Sequence, residues 1–327
     1  MLGLVLAWRL RDVLLLIYVS ALFAVVLMPL VYHIMKFQVR GHHISRGLAI
    51  ALLLSSTVLA ITVFLVLGLP PVIRDIRQFA ADLPTRLPQI VANLKRIPLA
   101  DKLGVDAIAA KTEDALSATA EYLFASFPMW MGRILDLLTA FILCVYFMLE
   151  GEYAYGWFMS LLSVENRLRL AVTLYKAEIR MSKWLFGQGL LMLILGVCST
   201  ITFGFLHVRY FFLLGVLMGL MNIIPIAGGV ITILIVAFVA ALDSWAKMAG
   251  VFIFYLIYIN IENAYLIPRI MRQSVNLMGL TVLIALIAGT ELAGIVGALV
   301  AVPTAALIAV LMDEYLVQQD LTESRSN

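Results

Sequence analysis

Three stretches of this chain set polar or helix-breaking residues inside runs that are otherwise apolar. The first is YINIENAYLIPR, where Glu262 stands between Asn260 and Asn263 and ahead of Pro268 and Arg269. An ionised carboxylate in hydrocarbon costs several kcal/mol, so it must be paired, hydrated or protonated. Glu262 can therefore bind and release a proton or a sodium ion, or contact a polar solute; it can equally cap the following break or pair with Arg269. The second stretch is MNIIPIAGGV, with Asn222, Pro225, Gly228 and Gly229. Proline leaves a backbone carbonyl without its N–H partner, glycine permits close backbone approach, and the asparagine amide both donates and accepts. Together they make a polar spot without charge, suited to a small neutral hydroxyl-rich solute or a cation held by carbonyls; the alternative is a packing kink. The third stretch, GTELAGIVG, places Glu291 beside Gly294 and Gly297. There the exposed N–H groups of a half-helix favour an anion, which makes Glu291 a solute contact or a capping residue.

Other chemistry is excluded by what the chain lacks. It has no Gly-rich phosphate loop with a lysine, no nucleophile elbow, and no metal-ligand spacing among its four histidines. No enzyme, metal or cofactor is expected, and any energy source must be a gradient or a partner. Cys144 and Cys198 both lie in apolar runs and read as core residues rather than a disulfide. Asp136 follows Arg133 by three residues, as a structural ion pair would. His207 and Arg209 read as turn residues, and Gly215 and Gly219 as a helix-packing pair.

The elements that must position these residues are set by the solvent. Of the 327 residues, 63% are hydrophobic and only 13% charged, far below the charge of a soluble domain, and the net charge of +3 is too small to imply nucleic acid. Apolar runs long enough to cross a bilayer recur along the chain. The order of charge and apolar residues at 1–11 is the reverse of a signal peptide, so the N terminus is expected in the mature protein. Residues 13–32 form the first run, followed by a basic patch of Lys36, Arg40, His42, His43 and Arg46 that is expected on the cytoplasmic side. Arg9 and Arg11 flank the other end of that run and conflict with this orientation. Residues 48–69 form the second run, expected to end at Pro70 and Pro71.

From 70 to 129 charges and prolines return, with Ile73, Ile76, Phe79, Leu83, Leu87, Ile90 and Leu94 at helical spacing and Pro84, Pro88 and Pro98 dividing them. This predicts a small extracytoplasmic helical insert that rests on the bilayer or on other subunits. Residues 130–150 return to the membrane. Residues 151–183 carry Arg167, Arg169, Lys176, Arg180 and Lys183, which predicts a basic helix lying in the cytoplasmic interface on anionic lipid. A transport core follows over 184–312, then a polar tail over 313–327. Within the core, 210–242 and 277–312 are too long for one upright span and too short for two, and each is interrupted in its middle by the residues above. Irregular backbone at membrane depth is tolerated only where protein or a wet cavity covers it, and two such segments in corresponding halves point to the substrate site of a secondary transporter.

At these same residues the chain resembles a known family. GLMNIIPIAGGVI, KAEIRMSKWLFGQGLL and the block from NIENAYLIPR to GALVAVPTAALI are similar to those of the autoinducer-2 exporter (AI-2E) family, over about residues 13–311. Pro225 and Gly228 match its proline-glycine motif, Glu262, Asn263, Pro268 and Arg269 its E-N…P-R motif, and Gly294, Gly297 and Pro303 its last. Residues 227–229 read Ala-Gly-Gly where members often have Gly-Pro. The resemblance implies a multi-pass permease; similar proteins are thought to act as sodium/proton antiporters.

The expected protein is an all-α polytopic membrane protein of about five full spans plus two broken or re-entrant segments, with a small helical insert. It is expected in the inner membrane, as a homo-oligomer in contact with lipid, moving a small polar solute outward by alternating access. The competing readings are a monovalent cation/proton antiporter and a non-transporting scaffold whose insert binds a partner.

Overall fold

A computed structural model describes residues 9–39, 42–94, 127–225, 227–271 and 279–317. The described residues are helical nearly throughout, with one two-residue antiparallel pair among them, Gln38–Val39 (β1) against His42–His43 (β2). The helices are α1 (Arg11–Met35), α2 (Arg46–Val63), α3 (Leu69–Leu94), α4 (Phe127–Ser160), α5 (Val164–Phe205), α6 (Phe211–Met221), α7 (Ala227–Asp243), α8 (Trp245–Ile261), α9 (Ile267–Ile270) and α10 (Gly279–Met312). Six helical stretches are long and apolar enough to cross a membrane. The last of them, Gly279–Tyr315, is broken at Ala293 and Gly294, and α6 and α7 are shorter apolar helices. Five unbroken candidate spans and two interrupted segments remain, as the composition requires.

Two expected helix ends are absent. Helix continues from α2 through a π turn at Phe64–Gly68 into α3, straight past Pro70 and Pro71, and α3 runs on through Pro84 and Pro88. A second π turn, Glu262–Leu266, stands ahead of Pro268 and joins α8 to α9. Proline destroys a helix by lacking an N–H and by crowding the turn before it. A π turn just upstream of Pro70 and Pro71, and another just upstream of Pro268, widens the chain there, whereas Pro84 and Pro88 are carried within α3 itself. The part of the insert over 95–126, with Pro98, lies outside the described residues.

The described chain forms two compact units, one of residues 1–59, 136–190 and 263–327 and the other of 60–135 and 191–262. In the first, α1 is the central helix. Val19, Leu22 and Val26 pack with Ala177 and Met181 of α5 and Val300, Ala306 and Val310 of α10. Its other face, Ala24, Met28 and Val31, packs with Ala49, Ile50 and Leu53 of α2 and Cys144 and Met148 of α4. Cys144 is thus a core residue. Arg46 donates to the Met148 carbonyl and pairs with Glu152, which also accepts from the Tyr32 hydroxyl, so the 36–46 turn and the end of α4 lie at one end of this unit.

The basic stretch does not form a separate helix. Residues 151–160 complete α4, and 164–183 begin α5, whose 42 residues extend about 63 Å, twice the hydrocarbon thickness. Its basic side chains also have protein partners rather than lipid alone. Arg169 and Lys176 pair with Glu314 at 3.5 and 3.2 Å, Arg180 with Asp313 at 3.9 Å, and the Arg169 guanidinium lies 4.7 Å over the Tyr315 ring. The acidic π turn Asp313–Val317 that ends α10 therefore neutralises this face of α5. Because the partners are one-third to one-half exposed, the Glu314→Gln variant is expected to lose only about 0.5–1 kcal/mol of stability. Thermal unfolding in detergent checks this, and the difference should shrink in 1 M salt, where charges are screened beyond about 3 Å.

In the second unit, α5 and α6 pack through small residues. A Cβ on Gly215 would stand 2.1 Å from the Thr200 hydroxyl, and one on Gly219 would stand 2.9 Å from the Gly196 Cα. The 206–210 turn that follows α5 holds His207 and Arg209, with His207 and Tyr210 both at positive φ. α7 and α8 form a hairpin opened by Ser244, whose hydroxyl caps α8 by accepting from the Ala246 N–H at 3.1 Å.

Candidate functional site

The break between α6 and α7 is a tight turn. The N–H groups of Ile223 and Ile224 bond back to the carbonyls of Leu220 and Met221, and Gly228 N–H returns to the Ile224 carbonyl at 2.9 Å. The chain approaches itself so closely that a Cβ on Gly228 would lie 1.7 Å from the Met221 carbonyl oxygen. Only glycine fits at Gly228. The next glycine has a different neighbour: a Cβ on Gly229 would lie 2.5 Å from the Tyr255 hydroxyl. Inside α7, Thr232 returns its hydroxyl to the Gly228 carbonyl, so that acceptor is satisfied locally.

Facing this turn is one side of α8. Tyr255, Tyr258 and Glu262 recur at three- and four-residue intervals and so share a helical face. Glu262 is 7% exposed, Tyr258 5% and Asn222 7%, three polar side chains buried in an apolar setting. The Glu262 carboxylate stands near the Asn222 amide and the Tyr258 hydroxyl, and Tyr255 lies within its electrostatic reach. Glu262 also opens a π turn, and such turns inside α-helices concentrate at functional sites.

The structure thus joins Asn222, Gly228, Gly229 and Glu262 in the second unit and adds Tyr255 and Tyr258. The two tyrosines escaped notice in the sequence because tyrosine is common in membrane helices. Their signal was the spacing that puts them on the face of Glu262. Pro225 stands in the turn and is half-buried. Asn260 is exposed and donates its amide to the Leu256 carbonyl of its own helix at 2.7 Å, away from the cluster.

The other sequence-derived residues belong to the first unit. Asn263, Pro268 and Arg269 are exposed. Gly294 has φ +58° and ψ −136°, a conformation for glycine alone, and there α10 folds back. Gly289 and Gly297 meet across the fold, since a Cβ on Gly297 would lie 1.8 Å from the Gly289 carbonyl oxygen. In a straight helix those residues would be about 12 Å apart, so 279–312 is a hairpin of two half-helices. Glu291, on the first half, is exposed and makes no hydrogen bond or ion pair among the described residues.

Long apolar helices, two glycine-built breaks and a buried carboxylate facing one of them define a multi-pass membrane protein. The chain belongs to the AI-2E transporter family, whose model matches residues 1–317. It is 26% identical over 307 residues to the "AI-2 transport protein TqsA" of Escherichia coli (strain K12), covering 91% of this chain and 85% of that one. It is also 33% identical over 150 residues to the "Putative transport protein YrrI" of Bacillus subtilis (strain 168), covering 46% of this chain and 42% of that one. Over 186 residues it is 24% identical to the "Putative transport protein sll0060" of Synechocystis sp. (strain ATCC 27184 / PCC 6803 / Kazusa), covering 57% and 53%. The chain thus spans about half the length of those two relatives.

Proposed function

We propose that this protein is a secondary permease of the inner membrane that exports a small polar solute by alternating access, with Glu262 as the group that couples the cycle to an ion gradient. The observation that supports this reading is the buried Glu262 carboxylate among Asn222, Tyr258 and Tyr255, against the glycine turn that ends α6. A carboxylate so enclosed changes its solvation when it gains or loses a proton or cation, and that change can favour one arrangement of the surrounding helices over another. The cluster offers hydroxyl and amide groups without a fixed cation, which suits a neutral, hydroxyl-bearing solute. An autoinducer-2-like compound is the candidate that TqsA's name suggests. A homo-oligomer is proposed with it, since the apolar faces exposed along the helices must meet lipid or further copies.

The same break favours a second reading, a sodium/proton antiporter, because unwound backbone carbonyls and half-helix C-terminal ends coordinate Na+ in transporters, and the Glu262 carboxylate adds a charged oxygen beside the end of α6. Inverted vesicles containing the wild type, beside Glu262→Gln, separate the two. They are offered small sugars, furanone-like signals, or sodium with an internal pH probe. Glu262-dependent accumulation of an organic solute supports the exporter, and sodium-driven proton movement alone supports the antiporter. No flux of any kind would overturn both and leave a scaffold role.

A further inference from the structure

The insert helix α3 touches α6 through one face. Asp75, Phe79 and Asp82 stand at intervals of four and three residues, and each meets the N-terminal end of α6. The Asp75 carboxylate, 5% exposed, accepts from the Leu213 N–H at 3.2 Å. The Phe79 ring packs edge-on to the Tyr210 ring at 5.5 Å between centroids. The Asp82 carboxylate accepts from the Tyr210 hydroxyl and from Arg209, each at 2.7 Å. Arg209 is paired further with Asp243 at 3.6 Å, and Asp243 with Lys247 at 3.0 Å, which ties in the α7–α8 hairpin. Burial and the Asp82 carboxylate push the Tyr210 hydroxyl up to about 12, so it remains a donor at every physiological pH.

α6 needs such an outside partner. Its own N-cap residue, Tyr210, is in the left-handed conformation and provides no side-chain cap. A free helix start leaves N–H groups unsatisfied and a positive end uncompensated. Asp75 supplies both from another helix, reaching the third residue of α6, which is where a normal capping side chain would bond. The helix so held has only 11 residues, about 16 Å, and its far end presents Asn222 to Glu262.

We propose that α3 is a positioning element of the transport site: through Asp75, and through Asp82 on Arg209 and Tyr210, it fixes the height and rotation of α6 and thereby the place of Asn222 beside Glu262. This rests on the reading of the α6–α7 turn as the transport site, but it can be tested without any flux. In full-length protein with Cys144 and Cys198 replaced by alanine, Asn222→Cys is labelled with a water-soluble maleimide in permeabilised vesicles. Adding Asp75→Ala is expected to raise the labelling rate about fivefold, the population change that a lost side-chain cap produces. Adding Asp75→Asn, whose amide oxygen still accepts from Leu213, should leave it within about twofold. If Asp75→Ala does not accumulate, Tyr210→Phe removes only the hydroxyl donated to Asp82 and should raise labelling about fivefold. Unchanged labelling in a folded Asp75→Ala protein, or in Tyr210→Phe where only that variant folds, overturns the proposal. Failure of the flux experiments with a positive labelling result would count against the transport reading alone.

Discussion

Replacing Glu262 with glutamine is expected to lower gradient-coupled flux by roughly 10- to 100-fold, the scale of interactions to one buried charged group, because an amide cannot take up and release a proton or match the charge of a cation. The amide keeps the volume of the side chain and can still accept from Tyr258, so no cavity forms at the π turn. Removing a carboxylate from hydrocarbon also removes its desolvation cost, so unfolding in detergent should occur at the same temperature or higher. Flux and stability therefore move apart, a result that a structural glutamate would not give. Glu262→Ala is the contrast: it opens a cavity beside Asn222 and Tyr258, so both quantities should fall. Wild-type flux in the Gln variant would end the assignment of Glu262 as the coupling group.

The largest stability effect is expected at Gly228→Ala. The new Cβ would sit 1.7 Å from the Met221 oxygen and 2.6 Å from its carbon, both backbone, so relief requires opening the turn itself. A loss of at least about 3 kcal/mol follows, at or beyond the upper end of ordinary overpacking, and the variant should accumulate poorly. The adjacent Gly229→Ala meets only the end of a tyrosine side chain, at 2.5 Å, which can swing aside. It should cost under about 1 kcal/mol, the scale of an overpacking that side-chain motion relieves, while displacing Tyr255 from the site. Gly156→Ala, with nothing within 4 Å, is the control and should stabilise α4 by up to about 1 kcal/mol. Thermal unfolding of the three variants in detergent orders them. Equal midpoints for Gly228→Ala and Gly156→Ala would mean that the α6–α7 turn is not closed as described.

Much of this was legible from residue types alone, because the bilayer leaves a chain few choices. Backbone groups in hydrocarbon must be satisfied internally, so apolar runs had to be helices, and their lengths separated full spans from interrupted ones. Glycine and proline inside such runs marked both breaks, at 222–229 and at 289–297, and the isolation of Glu262 marked it as a group needing partners. What stayed hidden depended on neighbours. Pro70, Pro71 and Pro268 read as helix ends because proline's penalty is local, whereas the π turns that absorb it are a property of the folded helix. The basic residues of α5 read as lipid-binding because Asp313 and Glu314 are distant in sequence, and the partners of Asp75 and Asp82 are equally distant from them in sequence. Asn260 and Glu262 stand two residues apart in the same candidate stretch, yet helical rotation turns one outward and buries the other. The sequence by itself determined the solvent, the helices and the places where they break, since these follow from the cost of exposing polar backbone to lipid. Only the tertiary structure decided which side chains meet at the breaks, because a hydrogen bond or ion pair depends on distances of a few ångströms between helices far apart in the chain.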